Sequence, residues 1–324
     1  MKIFCTRIIP EAGLQLLKDA GVEVLLWKEK RELTPEELIE YCMPCDALLS
    51  VGYNKINSSF LNACRHLKVI SLHSVGFDNV DVAEATRLHI PIGNTPGVVS
   101  KATADTAFLL MLTASRKAFY MHKRITTGEW KFFEPTANLG TDLRNKTLGI
   151  YGLGKVGVEM AKLCRGAYHM KIIYHNRHHN VEAEKELNAK WVSFEELLER
   201  SDILSVHTNL SNETRGKFNR TVFAKMKPSA LFINTARGGI HNEADLIDAL
   251  QSGTIWGAGL DVTHPEPMQP ENLLLRMPNV AVTPHIGTAT VKTRDAMARI
   301  AAENIIAGLS GQRIPYPVNP EVYD

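Results

Sequence analysis

The segment from Thr147 to Arg177 limits what this chain can fold into more than any other. Thr147-Leu148-Gly149-Ile150-Tyr151 is a short apolar run that reads as a strand. Gly152-Leu153-Gly154-Lys155-Val156-Gly157 follows without a gap and opens a helix reaching to about Tyr168, and Lys171-Ile172-Ile173-Tyr174 reads as a second strand. A G-x-G-x-x-G sequence between a strand and a helix is a dinucleotide-binding fingerprint. One glycine makes the tight turn, one lets the backbone approach a pyrophosphate, and one lets helix and strand pack closely. The start of the helix adds free N–H groups and the positive end of its dipole. At the end of the second strand an NAD site expects an acid for the ribose 2′-hydroxyl. His175-Asn176-Arg177-His178-His179 stands there instead. Cationic and amide groups in place of an acid suit a 2′-phosphate, so Asn176, Arg177 and His178 are expected to select NADP (NADPH), with NAD as the second choice.

The rest of the chain fits a two-domain protein. Its 324 residues exceed one typical domain, and a hydrophobic content of 44% fills two cores. A net charge of +2 sets up no strong field, which argues against nucleic acid or a membrane surface as a partner. No apolar run reaches membrane length, and the opening Met1-Lys2-Ile3-Phe4 reads as a strand and not as a signal peptide. The expectation is a soluble, cytoplasmic protein. Five scattered cysteines make no disulfide scaffold. Cys42-Met43-Pro44-Cys45 lacks the second ligand pair that zinc needs, so no metal site is expected.

A βα rhythm fills the first hundred residues, with strands expected at Ile3–Thr6, Val22–Leu26, Asp46–Ser50 and Lys68–Leu72. Thr34-Pro35-Glu36-Glu37 is a capping box that starts one of the intervening helices. Residues 101–117 form a helix apolar on most sides, followed by a loop carrying Trp130, Phe132 and Phe133; together they suit a subunit contact and a homodimer. From Thr147 a second series places strands at Thr147–Tyr151, Lys171–Tyr174, Ile203–Val206, Ala230–Asn234, Gly257–Asp261 and Val280–Val282. Alternating strands and helices imply parallel sheets. The expected class is α/β: a Rossmann-type doubly wound dinucleotide-binding domain (100–288) inserted into a flavodoxin-like substrate domain made of 1–99 and 289–324.

Three groups with complementary chemistry follow successive strands of the second series. Arg237 lies in Asn234-Thr235-Ala236-Arg237-Gly238, Glu266 in His264-Pro265-Glu266-Pro267, and His285 in Thr283-Pro284-His285-Ile286-Gly287. Reducing a 2-keto acid needs a cation for the carboxylate, best a guanidinium fork, and a general acid for the carbonyl oxygen, commonly histidine. It also needs a carboxylate to orient that histidine. Open α/β sheets place such groups at the carboxyl ends of their strands. His241 and His264 are rival histidines, less well placed.

These segments, with Gly259-Leu260-Asp261-Val262, make the chain resemble the D-isomer-specific 2-hydroxyacid dehydrogenases over essentially its whole length. Thr103-Ala104-Asp105-Thr106 and Tyr174-His175-Asn176-Arg177 bring it nearest to the glyoxylate/hydroxypyruvate and 2-ketogluconate reductases. The resemblance implies that Arg237 grips the keto acid, that His285 protonates the carbonyl oxygen, and that Glu266 holds His285. It implies that Asp261 holds the nicotinamide carboxamide, and that Thr106, Gly152, Leu153, Gly154, Lys155, Val156, Gly157, Thr208, Asn209, Thr214, Thr235, Ala236 and Gly287 line the dinucleotide. It further implies a first-domain substrate loop, Ser74-Val75-Gly76-Phe77-Asp78, in which Val75 and Gly76 meet the carboxylate, with Gly52 also at the substrate. Tyr53 and Asn54 would suit a polyhydroxy chain. Asn209 departs from the proline frequent in the family at that place. The expected function is NADPH-preferring reduction of small 2-keto acids to D-2-hydroxy acids. The alternatives are an NAD-linked dehydrogenase of the phosphoglycerate type and a non-catalytic nucleotide-sensing dimeric scaffold.

Overall fold

The computed structural model describes residues 1–324, and the chain divides into two compact units, Met1–Val99 with Ala289–Asp324, and Ser100–Thr288. In the first unit β1 (Lys2–Cys5), α1 (Glu11–Asp19), β2 (Glu23–Leu26), α2 (Pro35–Cys42), β3 (Ala47–Ser50), α3 (Ser58–Ala63), β4 (Val69–Leu72), α4 (Val82–Arg87) and β5 (Ile92–Gly93) alternate. The strands form one parallel sheet in the order β2-β1-β3-β4-β5, the flavodoxin-like arrangement. Thr34 caps α2 in the expected reciprocal box with Glu37.

The second unit runs α5 (Ser100–Ser115), α6 (Ala118–Thr126), β6 (Thr147–Tyr151), α7 (Lys155–Tyr168), β7 (Lys171–His175), α8 (Val181–Leu187), β8 (Lys190–Trp191), α9 (Phe194–Arg200), β9 (Ile203–Val206), α10 (Arg220–Phe223), β10 (Leu231–Asn234), α11 (Glu243–Gln251), β11 (Gly257–Leu260) and β12 (Val280–Val282). The chain then returns to the first unit as α12 (Val291–Leu309), capped by Thr290. That helix lies close against α1: a Cβ added at Gly13 would stand 2.6 Å from the Ala298 carbonyl oxygen.

The second sheet is parallel throughout and has seven strands, β12-β11-β10-β9-β6-β7-β8. The sequence indicated six. β8, like β5 in the first sheet, is only two residues long, too short for a period-2 pattern to register. The order of strand addition reverses between β6 and β9, with β7 and β8 on one side and β9 to β12 on the other, which makes the carboxyl ends of this parallel pair the switch point where ligands bind in such sheets. Two apolar clusters fill this unit, one around Leu110, Met111, Ile150 and Met160, the other around Leu204, Phe218, Phe232 and Leu246. α5 contributes Ala104, Ala107, Leu110, Met111 and Ala114 to the first, but Lys101, Asp105 and Leu109 remain exposed, so the helix has one open stripe. α6 buries none of its side chains, and Ile125, Trp130, Phe132, Phe133 and Leu139 are exposed around it and in the loop that follows. No helix is long and apolar enough to cross a membrane.

Candidate active site

The glycine turn after β6 is built as its sequence requires. Gly152 has φ +98°, a left-handed conformation that a side chain would strain, and an added Cβ would lie 2.8 Å from the His207 carbonyl oxygen at the end of β9. Gly157, in the first turn of α7, approaches the Gly152 carbonyl so closely that a Cβ would come within 2.7 Å. Gly154 is the N-cap of α7, has no side-chain cap, and a Cβ there would meet nothing within 4 Å. The first N–H groups of α7 therefore open onto unobstructed space at the switch point. Leu153 is buried, Lys155 exposed and Val156 half-buried.

The basic turn after β7 is fastened to this loop. The Asn176 side chain points inward: its Oδ1 accepts the Leu153 N–H at 2.6 Å, and Asn180 Nδ2 donates to the Leu153 carbonyl at 2.9 Å. Asn176, expected among the cofactor-binding residues, is a brace of the glycine loop. Arg177 and His178 are the exposed side chains left facing solvent between these two asparagines, beside His179, which is tied to Glu184 at 2.8 Å.

At the other end of the sheet, Arg237, Glu266 and His285 follow the neighbouring strands β10, β11 and β12. His285 Nδ1 lies 2.5 Å from Glu266 Oε1. A carboxylate only accepts, so Nδ1 carries the hydrogen and Nε2 is the free end of the ring. The His285 side chain is 48% exposed. Burial works against the charge of Glu266, but the hydrogen bond and charge of His285, with smaller help from the Thr263 N–H and the Arg237 charge, hold its carboxyl below the ordinary value.

Two devices that sequence reasoning missed hold these groups in place. Fully buried Asn234 ends β10 in an Asx turn: its Oδ1 accepts the Ala236 N–H at 3.0 Å, and its Nδ2 donates to the Arg237 carbonyl at 2.9 Å. An asparagine at the end of a buried strand, two residues before a backbone turn, was the available signal. On β12's side, His285 sits at φ +52°, a conformation uncommon for a side-chain-bearing residue. Its N–H bonds the Asp261 carbonyl at 2.9 Å. The Asp261 carboxylate, 1% exposed, accepts from Thr283 Oγ1 at 2.7 Å, Ile286 N at 2.8 Å and Gly287 N at 2.7 Å. Burial pushes the Asp261 carboxyl above its ordinary value, and those donors with the His285 charge pull against that rise. His241 is buried, and its imidazole is pushed down to about 4 by that burial and by the charge of His264.

A family model described as "D-isomer specific 2-hydroxyacid dehydrogenase, NAD binding domain" matches residues 108–287. The chain belongs to the D-isomer-specific 2-hydroxyacid dehydrogenase family. This 2-hydroxyacid dehydrogenase is therefore an NAD(P)-dependent oxidoreductase. It is 41% identical to a glyoxylate reductase of Thermococcus litoralis, across 99% of this chain and 97% of the relative. A crystal structure of the TT0316 protein from Thermus thermophilus superposes with a TM-score of 0.91 at 37% identity, covering 98% of this chain and 100% of that one. An NADPH-dependent glyoxylate/hydroxypyruvate reductase from Sinorhizobium meliloti, solved in complex with NADP and malonate, superposes with a TM-score of 0.83 at 29% identity, covering 99% of this chain and 97% of that one.

The residues of this dehydrogenase fit a dinucleotide. The cradle at Gly154 is open, and Thr235 Oγ1, buried after β10, has no hydrogen-bond partner within the protein. Thr208, Asn209 and Ala236 lie in the loops after β9 and β10. Other hydroxyls on the dinucleotide side are already used. Thr106 Oγ1 bonds back to the Ala102 carbonyl at 3.1 Å within α5, and Thr214 Oγ1 ties its own loop, donating to Asn209 O at 2.7 Å and accepting from Ser211 N at 2.8 Å. Gly287 is buried, its N–H on Asp261. In the first unit Gly52 turns at φ +86° after β3. The Val75-Gly76 loop after β4 is held by Ser74 Oγ on Gly76 O and Asn94 Nδ2 on Val75 O, both at 2.8 Å. Asn54 is buried, its amide donating to Thr6 Oγ1, Ser50 Oγ and Val51 O, so it is a strut of this unit and not a contact for a polyhydroxy chain.

Proposed function

We propose that this dehydrogenase reduces glyoxylate and hydroxypyruvate, the latter to the D-2-hydroxy acid, and prefers NADPH. The reading is carried by the His285–Glu266 pair at 2.5 Å, following strands adjacent to the one that delivers Arg237. Bound NADPH supplies the hydride that turns a 2-keto acid into a 2-hydroxy acid. The Arg237 guanidinium grips the substrate carboxylate with its two-pronged fork. His285 Nε2 delivers a proton to the carbonyl oxygen as it becomes a hydroxyl, and in the reverse direction takes it back. Glu266 fixes the ring through Nδ1, which leaves Nε2 as the end held for the substrate. The glycine loop and Thr235 hold the dinucleotide, and Asp261 and Gly287 flank its nicotinamide end. Small keto acids are favoured over 2-ketogluconate because Asn54 is committed inside the protein.

NADPH preference rests on Arg177 and His178, the exposed side chains of the turn after β7 that face solvent between the inward-braced asparagines. A charge-assisted hydrogen bond is worth about 1.5–3 kcal/mol, so Arg177→Ala is expected to cost NADPH roughly 10- to 150-fold in kcat/KM and NADH far less. Loss of reduced-nicotinamide absorbance on adding glyoxylate or hydroxypyruvate, run with both cofactors, checks activity and preference together. Equal losses for NADPH and NADH in the variant would refute the assignment of the turn. The exposed aromatic stretch, with Phe133 83% exposed and Trp130 and Phe132 beside it, supports assembly as a homodimer.

A further inference from the structure

The turn that carries Arg177 is held from outside by one aromatic side chain. Trp191 ends the two-residue edge strand β8, where it pairs with Tyr174, and is 39% exposed. Its Nε1 donates to the Asn176 carbonyl at 3.0 Å. Its ring stacks on His179, with centroids 4.9 Å apart and planes 26° from parallel, and packs against His175 at 6.0 Å. His179 is clamped from its other side by Glu184 Oε1 at 2.8 Å, and the same oxygen accepts from Tyr174 OH at 2.6 Å. Tyr174 OH in turn accepts the Asn180 N–H at 2.8 Å. The backbone before Arg177 and the side chain after His178 are therefore both fixed on the indole.

We propose that Trp191 is a positioning residue for cofactor selection. It presets the 176–179 turn so that Arg177 and His178 stand ready for a 2′-phosphate, and it acts through that turn. A turn ordered beforehand spares the ordering cost that binding would otherwise carry. This rests on the NADPH reading of the turn.

The test is the ratio of kcat/KM for NADPH to that for NADH, with glyoxylate as substrate, in wild type, W191F, R177A and the double variant. Phenylalanine keeps a ring and removes the Nε1 donor. W191F is expected to lower the ratio about fivefold, the equivalent of about 1 kcal/mol for one hydrogen bond. R177A lowers it further, and the double variant falls no lower than R177A alone, because Trp191 acts through the turn that Arg177 occupies. His179→Ala, which removes the stacking partner at an exposed site, is expected to lower the ratio as well. A wild-type ratio near one overturns the cofactor reading and this inference with it. A high wild-type ratio that R177A lowers but W191F and H179A leave unchanged overturns the inference alone. So does a W191F loss of the same size with and without Arg177, since that would place the indole's effect elsewhere.

Discussion

Asp261→Asn is the substitution that most directly tests how the His285 turn is held. The carboxylate takes three donors, Thr283 Oγ1 and Ile286 N on one oxygen and Gly287 N on the other, and Asp261 and Gly287 are both buried. Asparagine offers one oxygen and one amine. With the oxygen facing Thr283 and Ile286, the amine meets the Gly287 N–H, donor against donor; the other orientation strands two donors. The better orientation loses one charge-assisted bond, about 1.5–3 kcal/mol. Part of that is returned, because burial already pushes the Asp261 carboxyl above its ordinary value and the variant carries no charge there. A net loss of about 1–2 kcal/mol remains, and at about 2–4 °C per kcal/mol for a unit of this size it lowers Tm by about 2–8 °C. The catalytic consequence is larger. His285 keeps its backbone bonds to Asp261 O and Thr283 O but loses the clamp on the two residues after it. Displacing a reacting group by about 1 Å costs about 10²-fold, so kcat is expected to fall by one to two orders of magnitude. Thermal unfolding, kcat with NADPH and glyoxylate, and a cofactor titration separate the effects. An unchanged Tm, with the whole loss of activity accounted for by a weaker cofactor Kd, would refute the brace and leave Asp261 a contact for the nicotinamide only.

The proposed acid and its partner make two further predictions. His285→Ala is expected to lower kcat by about 10²–10⁴-fold, the usual contribution of a positioned proton donor, while NADPH binding followed by fluorescence stays near wild type; retained turnover would move the acid to another group. Glu266 has a folded-state pKa below its ordinary 4.5, so its contribution to stability is fully present above 4.5 and is lost as the pH falls through the lower folded value. The Tm advantage of wild type over Glu266→Gln is therefore expected to be largest near neutral pH and to vanish in acid. The free-energy difference behind it stays below about 1 kcal/mol, because the pair is about half exposed and screened; an advantage that grows as the pH falls would reverse the sign of the argument.

The parts of this protein legible from its sequence are those whose chemistry and backbone demand coincide. The Gly152–Gly157 loop could be read because three glycines at that spacing serve both the turn and the phosphates, and Arg237, Glu266 and His285 because each follows a strand of the same sheet. Direction within a loop was harder to read. Asn176, in a run of polar residues, looked like a ligand group but turns back onto Leu153, and Asn54 turns inward onto Thr6 and Ser50. Nothing in composition or period separates an outward amide from an inward one; the partner of Asn176 lies 23 residues away, and Thr6, one of the partners of Asn54, lies 48 away. Trp191 escaped notice for a related reason, since its strand is two residues long and its role depends on a stack with His179.

The two asparagine side chains that meet at Leu153 separate two properties that usually trade against each other. The groove for the phosphates needs only that Leu153 find an acceptor and a donor in the adjoining turn. The identity of the outward side chains at 177 and 178 is free of that duty. If Arg177 and His178 select the cofactor as proposed, they can be exchanged without loosening the two asparagine bonds to Leu153, so the choice of reductant can change while the glycine loop stays braced.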